Sequence, residues 1–306
     1  MTPDAAAGPA ACPGELTDAQ VPDVWQSLGL PGLADIHVHF LPPPMLAKVW
    51  RYFDEADRHY GLAWPIHYRT GEDERIATLR ALGLRRFPTL CYPHKPGMAS
   101  WLNDWCAGFA ADHREAVHSA TLFPEPGVTG YVRQALESGA RVFKVHVQVG
   151  DFDPSEPTLD EAWGLLSDAG VPVVVHCGSG PLRGAHTGPR PIGEVLRRHP
   201  ALTAVIAHAG APEYAEHLAL VGRYPNVWLD TTMVGTPFMD RIAPVPPDVL
   251  AAYRDLAHRI VLGVDFPNIP YSYARQIQSL LEWDFGPDWL RQVLWHNGAA
   301  LMGLPR

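Results

Sequence analysis

Leu33-Ala34-Asp35-Ile36-His37-Val38-His39-Phe40 is an alternating stretch. Leu33, Asp35, His37 and His39 share one parity; Ala34, Ile36, Val38 and Phe40 share the other. On a β-strand, residues two apart point to the same face. The reading is a strand with a carboxylate and two imidazoles on one face and an apolar opposite face. Pro42-Pro43-Pro44 ends it, because proline cannot donate to a sheet ladder. His37 and His39 thus fall at the C-terminal lip of a short strand, where two neutral imidazoles can chelate one divalent ion. Histidines in such a place also serve as hydrogen-bonded structural pairs, so the rest of the chain has to decide.

Further apolar runs follow at regular intervals. Arg85–Cys91, Ala116–Phe123, Arg141–Val147, Val171–His176, Leu202–His208, Val227–Asp230 and Ile260–Asp265 read as the second to eighth strands. The unbroken apolar run before His176 suits a parallel strand buried on both faces. Helices are predicted over Glu72–Leu82, Ala99–His113, Thr129–Ser138, Leu159–Ala169, Ile192–Arg198, Glu213–Gly222 and Pro247–His258. Gly83, Gly139 and Gly170 stop three of them. Tyr273–Leu281 and Pro287–Met302 are predicted as two closing helices. Strands alternating with helices in this number predict an α/β (β/α)₈ TIM barrel. Lys144 to His176 and His176 to His208 are both 32 residues, which predicts matching heights on adjacent strands. A doubly wound open sheet would bring a glycine-rich phosphate loop after an early strand, and neither GxGxxG nor GxxxxGK-Ser/Thr is present.

Catalytic groups of a barrel stand at the C-terminal ends of its strands. His37 and His39 end the first predicted strand, His176 the fifth, His208 the sixth and Asp265 the eighth. Polar groups on four apolar strand ends predict one shared metal site. Together with Asp35, Lys144-Val145-His146, His208-Ala209-Gly210 and Gly263-Val264-Asp265-Phe266-Pro267, this set resembles the amidohydrolase superfamily. The closest branch is the amidohydrolase-2 group, which includes the aminocarboxymuconate-semialdehyde decarboxylase relatives. The C-terminal Asn297-Gly298-Ala299-Ala300-Leu301-Met302-Gly303-Leu304 is similar to that group's Asn-Ala-x-x-Leu-x-Gly-Leu ending.

The resemblance covers roughly residues 31 to 305. It implies one metal ion held by His37, His39, His176 and Asp265, with His208 and Asp265 as catalytic residues. Three imidazoles and a carboxylate suit Zn²⁺, with Mn²⁺ as the alternative. Such an ion lowers the pKa of its water to roughly 7. Asp35 is read as a support for a ligand rather than a ligand itself. Lys144 has two readings: a carboxylated bridge between two ions, or an unmodified side chain facing substrate. His146 shares its parity and is expected to line the pocket. In the loop Gly178–His186, Arg183 and His186 are candidate substrate-binding residues, Arg183 by forked pairing with a carboxylate. Solvated surface positions are the plain alternative for both.

The expected activity is metal-dependent hydrolysis of a small carbonyl substrate (amide, lactone or ester). The alternative is metal-dependent, non-oxidative decarboxylation of an unsaturated or aromatic acid, and the motifs do not separate the two. A barrel serving only as a metal-binding scaffold is a third class, disfavoured by the full ligand set beside His208.

Bulk properties bound the rest. The chain has 306 residues, of which 47% are apolar, and a formal net charge of −9. That suits a globular chain with a sizeable core. No basic run offsets the charge, which argues against nucleic acid or an anionic membrane surface as partner. No apolar run is long enough to span a bilayer. Residues 1–20 are expected to be a loose tail, without the pattern of a secretory signal, and residues 21–306 a single barrel domain. Cys12, Cys91, Cys106 and Cys177 lack metal-finger or CxxC spacing and read as reduced, in a cytoplasmic protein. The aromatic stretch from Met45 to Thr70 reads as a helical excursion packed on the barrel, or as a wall over the pocket mouth. A small-molecule substrate is expected, and a homodimer only by analogy with related barrels.

Overall fold

A parallel strand covered on both sides hands alternate side chains to two different cores. In Val173–His176, Val173 and Val175 join the large core between sheet and helices, whereas Val174 joins a smaller inner one. The computed structural model, which describes residues 14–304, repeats this division around a ring. The inner core takes Ala34, Ile36, Leu90, Val117, Val142, Val174, Val205 and Val261 from successive strands.

The strands are β1 (Leu33–Ala34), β2 (Leu84–Pro88), β3 (Ala116–Val117 and Ser119–Thr121), β4 (Val142–His146), β5 (Val173–His176), β6 (Ala204–Ile206), β7 (Val227–Asp230) and β8 (Ile260–Val261). All neighbours pair in parallel. The two runs of β3 meet at His118, whose carbonyl accepts from Arg141 N at 2.8 Å. The ring closes between the first and last strands. Ile36 N donates to Leu262 O at 2.9 Å, Asp265 N to His37 O at 2.8 Å and His39 N to Phe266 O at 2.7 Å. The chain is a (β/α)₈ barrel.

The helices are α1 (Val21–Ser27), α2 (Pro43–Asp54), α3 (Ala56–Tyr60), α4 (Glu72–Leu82), α5 (Ala99–Asp112), α6 (Val128–Glu137), α7 (Val147–Gly150), α8 (Asp160–Ala169), α9 (Pro189–Arg198), α10 (Tyr214–Arg223), α11 (Pro247–Asp255), α12 (Tyr273–Glu282), α13 (Pro287–Arg291) and α14 (Asn297–Leu301). The first strand ends already at Ala34, well before the prolines; these instead open α2, where a missing N–H costs nothing. Pro287–Met302, predicted as one helix, is interrupted by a wider π turn over Gln292–His296.

Three expectations need correction. The regular alternation of the first strand breaks after Ile36. Ala34 and Ile36 face the inner core, while Val38 and Phe40 face the outer one. The cause is Asp35, whose Oδ1 accepts from His37 N at 2.8 Å; this turn between a side chain and the backbone two residues on shifts the parity. The even 32-residue spacing does not give equal heights either. His146, not Lys144, is the register partner of His176, and Lys144 pairs with Val174 one layer lower. The tail boundary at residue 20 is also too late. Leu16 N donates to Gln278 Oε1 at 2.9 Å, and Asp18 accepts from Tyr68 Oη at 2.5 Å and Ala274 N at 2.9 Å. Residues 1–13, including Cys12, lie outside the described residues. Among the described residues no helix is long and apolar enough to cross a membrane.

The C-terminal motif has a packing explanation. Asn297 Nδ2 donates to Ala257 O and Ile260 O, both at 2.6 Å, and so ties α14 to the start of β8. A Cβ on Gly298 would stand 2.5 Å from Ala34 O. Gly298→Ala is therefore expected to lower unfolding free energy by about 1–3 kcal/mol, read from the urea or thermal midpoint against wild type.

Candidate metal centre

The end of the first strand and the end of the last bring three donors together. His37, His39 and Asp265 offer ligand atoms that all lie within 4.8 Å of one another. His39 Nε2 is 2.9 Å and His37 Nε2 is 3.8 Å from Asp265 Oδ1. Both imidazoles are buried, and each is held at its far nitrogen. His37 Nδ1 lies 2.7 Å from Asp230 Oδ2, and His39 Nδ1 lies 2.6 Å from Leu90 O. A carboxylate and a carbonyl can only accept, so Nδ1 carries a proton in both rings. Nε2 of His37 keeps its lone pair towards Lys144 Nζ, whereas Nε2 of His39 donates to Asp265 and would give up that proton to an ion. Thr232 Oγ1, 3.0 Å from His37 Nδ1, adds a second contact on the same edge.

Electrostatics favour a neutral His37. Burial, followed by the Lys144 charge, holds His37 well below the ordinary imidazole range. Burial also lowers His146, His176 and His208. For Asp265 burial works upward, but the hydrogen bond and charge of His39, with His37 and His208, outweigh it and keep the carboxyl ionised. Two imidazoles whose Nε2 atoms converge on one ionised carboxylate fit a divalent transition-metal ion, which would replace the proton between His39 and Asp265.

The other predicted residues divide. His208 is on the floor, its ring 5.2 Å from that of His37 and 4.8 Å from that of His176. It sits at φ 55°, with Ala209 at φ 49°, and its N donates to Asp230 Oδ1 at 2.7 Å. Lys144 is fully buried, with Nζ 3.0 Å from His37 Nε2; burial pushes its pKa down to about 8. His146 lines the same cavity and stacks on His176 at 4.0 Å.

His176 stands outside the tight three-ligand set. Its Nε2 is 3.2 Å from Gly180 O, and the stack on His146 sets its ring plane. Arg183 and His186 are not in this cavity. They line a separate surface depression with Asp153, Glu194, Glu213 and Glu216, because their loop turns outward after Pro181. Cys177 is buried, 3.6 Å from His217 Nε2, and burial pushes its thiol up to about 12, which suits structure rather than reactivity.

Asp230 is the residue that sequence reading missed. It is fully buried and touches His37 and, through the backbone, His208 and Thr232. Its signal was an acid closing the apolar run Val227-Trp228-Leu229.

Above the floor lies a cavity of about 520 Å³, within the roughly 300–1,000 Å³ usual for small-molecule sites. The Met45–Thr70 stretch forms its wall, through Met45, Val49, Tyr52, Phe53, Tyr60 and Trp64. Trp50 Nε1 and Trp64 Nε1 donate to Oδ1 and O of Asn268, at 3.2 and 2.7 Å, and tie that wall to the loop after Asp265. Trp101 and Trp105 do not line the cavity.

These features define a (β/α)₈ barrel with a histidine–aspartate cluster at its C-terminal face that could hold a metal ion. The amidohydrolase family model (Amidohydro_2) matches residues 34–304, and the chain belongs to that family. No curated protein matches it in sequence. Among solved structures it is similar to an uncharacterized TIM-barrel protein of Bordetella bronchiseptica, with TM-score 0.70 and 19% identity over 88% of this chain and 98% of that one. It is similar to a Pseudomonas putida protein assigned as a 2-pyrone-4,6-dicarboxylic acid hydrolase, with TM-score 0.58 and 16% identity over 89% and 98%. It is also similar to the 5-carboxyvanillate decarboxylase of Novosphingobium aromaticivorans, solved with manganese and a nitrobenzoic acid, with TM-score 0.60 and 16% identity over 90% and 97%. At these identities the likeness carries the fold alone; the family's structural neighbours include both hydrolases and decarboxylases.

Asp230→Asn keeps the side-chain size and removes the charge that orients His37 Nδ1–H. Metal affinity is expected to fall about 10–100-fold, measured by competition with a chelating indicator, while the urea unfolding midpoint shows that the barrel remains folded.

Proposed function

We propose that this chain is a metal-dependent hydrolase that cleaves an amide, lactone or ester bond of a small carbonyl compound. The observation that carries this reading is the pair of imidazoles, His37 and His39, with Nδ1 tied away and Nε2 facing the Asp265 carboxylate. His37, His39 and Asp265 would hold the ion, with His176 as the fourth donor. When bound, a divalent ion supplies Lewis-acid polarisation of a carbonyl and acidification of water.

The chain's own groups supply the proton chemistry. Asp265 is ionised and can accept a proton from water at the floor. His208 is neutral, because burial lowers its pKa; it can relay to a departing heteroatom the proton that Asp265 takes from water, or stabilise charge on the carbonyl oxygen with its N–H. Lys144 Nζ, held beside His37, is a second donor for a substrate oxygen. The aromatic wall over this floor limits access of bulk water.

A second reading keeps the same residues and makes the reaction a decarboxylation. The largely apolar wall favours it, since loss of CO₂ gains from an environment that solvates a carboxylate poorly. His208 or Asp265, after taking a proton from solvent water, would then pass it to the carbon that loses CO₂.

Elemental analysis comes first. About one zinc or manganese ion per chain is expected, lost in His37→Ala and in His39→Ala. About two per chain would move Lys144 into a bridge. No uptake, even after growth with added zinc and manganese, would refute the metal reading. With metal-loaded protein, turnover in ¹⁸O-water then separates the reactions: label in the product supports hydrolysis, whereas CO₂ release with deuterium entering carbon from ²H₂O supports decarboxylation.

A further inference from the structure

The cavity wall contributed by α2 has a helical pattern with one exception in it. Met45, Lys48, Val49 and Tyr52 all line the cavity, at the spacing that places side chains on one helical face. Three of the four are apolar or aromatic, and the fourth is an ammonium. Lys48 is exposed while lining the cavity, so it stands at the mouth, where Tyr52 is 44% and Val149 is 41% exposed. His94 lines the same mouth, and the ammonium groups of Lys95 and Lys48 act on it after burial to lower its pKa. Among the described residues, no arginine lines the cavity, and no acid lines it apart from Asp265 on the floor. In a chain of net charge −9, this mouth is locally cationic. Away from the floor the lining is largely apolar and aromatic, with Met45, Val49, Phe53, Tyr60, Trp64 and Tyr92, and its polar members Gln148 and Asn268 carry no charge.

We propose that Lys48 is a specificity-determining residue, which binds a single carboxylate at the far end of an elongated, otherwise apolar substrate whose reacting group sits at the floor. This deepens the reading above and rests on its metal centre. The chemistry follows from placement. An ammonium at the edge of an apolar slot is less screened than one on an open surface. The apolar slot rejects a second charge along the ligand, because burying an unpaired charge is costly. The substrate class is thus a mono-acid with an apolar body and a reactive carbonyl remote from the acid.

The test uses binding, which does not depend on the reaction type. Hydroxamic acids chelate divalent ions, so zinc-loaded protein is titrated calorimetrically with alkyl hydroxamates of graded length ending in methyl, carboxylate or amine. Zinc content is measured on the same samples. At the best length the carboxylate-ended ligand is expected to bind about tenfold tighter than its methyl-ended counterpart. Lys48→Arg should keep that advantage, Lys48→Met should abolish it, and Lys48→Glu should transfer it to the amine-ended ligand. The proposal is overturned if the methyl-ended ligand binds wild type as well as the carboxylate-ended one, or if the advantage survives Lys48→Met. Failure to take up either zinc or manganese would overturn both this proposal and the metal reading; if only manganese is taken up, the same titration is run on manganese-loaded protein. Normal zinc uptake and hydroxamate binding without any carboxylate preference would overturn the role of Lys48 alone.

Discussion

The contact between Asp230 and His37 is the constraint on which the floor of this barrel depends. At 2.7 Å, a fully buried carboxylate on β7 fixes the proton of His37 on Nδ1. That single choice leaves Nε2 as an electron-pair donor and points it at Asp265. The other oxygen of Asp230 accepts from His208 N at 2.7 Å and Thr232 N at 3.1 Å. One side chain therefore sets the tautomer of a proposed ligand and anchors the backbone of the proposed proton carrier. The two tasks are physically linked, since neither oxygen can move without disturbing both.

The second part of this arrangement is backbone strain at the strand ends. His208 (φ 55°), Ala209 (φ 49°) and Asp265 (φ 72°) occupy the left-handed region, which costs a non-glycine residue on the order of 1–3 kcal/mol where the surroundings must enforce it. For His208 and Asp265 the enforcing contacts are these. Asp230 holds His208 N, while Asp265 donates its own N–H to His37 O and accepts from Asn268 N at 2.9 Å. Gly210 follows at φ 78°, with His217 packed where a Cβ would sit. The turns that tilt the site residues over the barrel mouth are thus held by side chains in the layer beneath.

The sequence made the barrel and most of the floor legible, for a physical reason. Strands buried on both faces must be apolar, so His37, His39, His176, His208 and Asp265 stand out where they end such runs. Helix stops were legible because glycine after Leu82, Ser138 and Ala169 has a local cause. What failed depends on contacts between distant segments. The Asp35 turn that breaks the first strand's parity was hidden, because an alternating pattern looks the same with or without it. The equal spacing of Lys144, His176 and His208 misled, since residue counts ignore the stagger between tilted strands. Lys144 reaches the floor from a lower layer through the length of its side chain. Arg183 and His186 were placed by their neighbourhood in the loop, and a loop's path is not written in its composition. Asp230 was read as a strand end, and its role needed the knowledge that β7 runs beside His37 across the ring.

The charge balance of the floor also favours a cation in it. Asp230 and Asp265 are carboxylates in contact with the site, and burial keeps the neighbouring imidazoles neutral. The fixed positive charge among them is Lys144, whose Nζ lies 3.0 Å from His37 Nε2, the lone pair that a metal ion would use. Burying this many ionisable groups is costly unless opposite charge lies close by. A divalent ion among His37, His39 and Asp265 would supply that charge and would free the Lys144 ammonium for a different acceptor. The apolar lining above makes each of these charges count for more, because little solvent screens them. Binding of the ion and readiness of Lys144 to meet an anionic oxygen are then two consequences of one electrostatic arrangement.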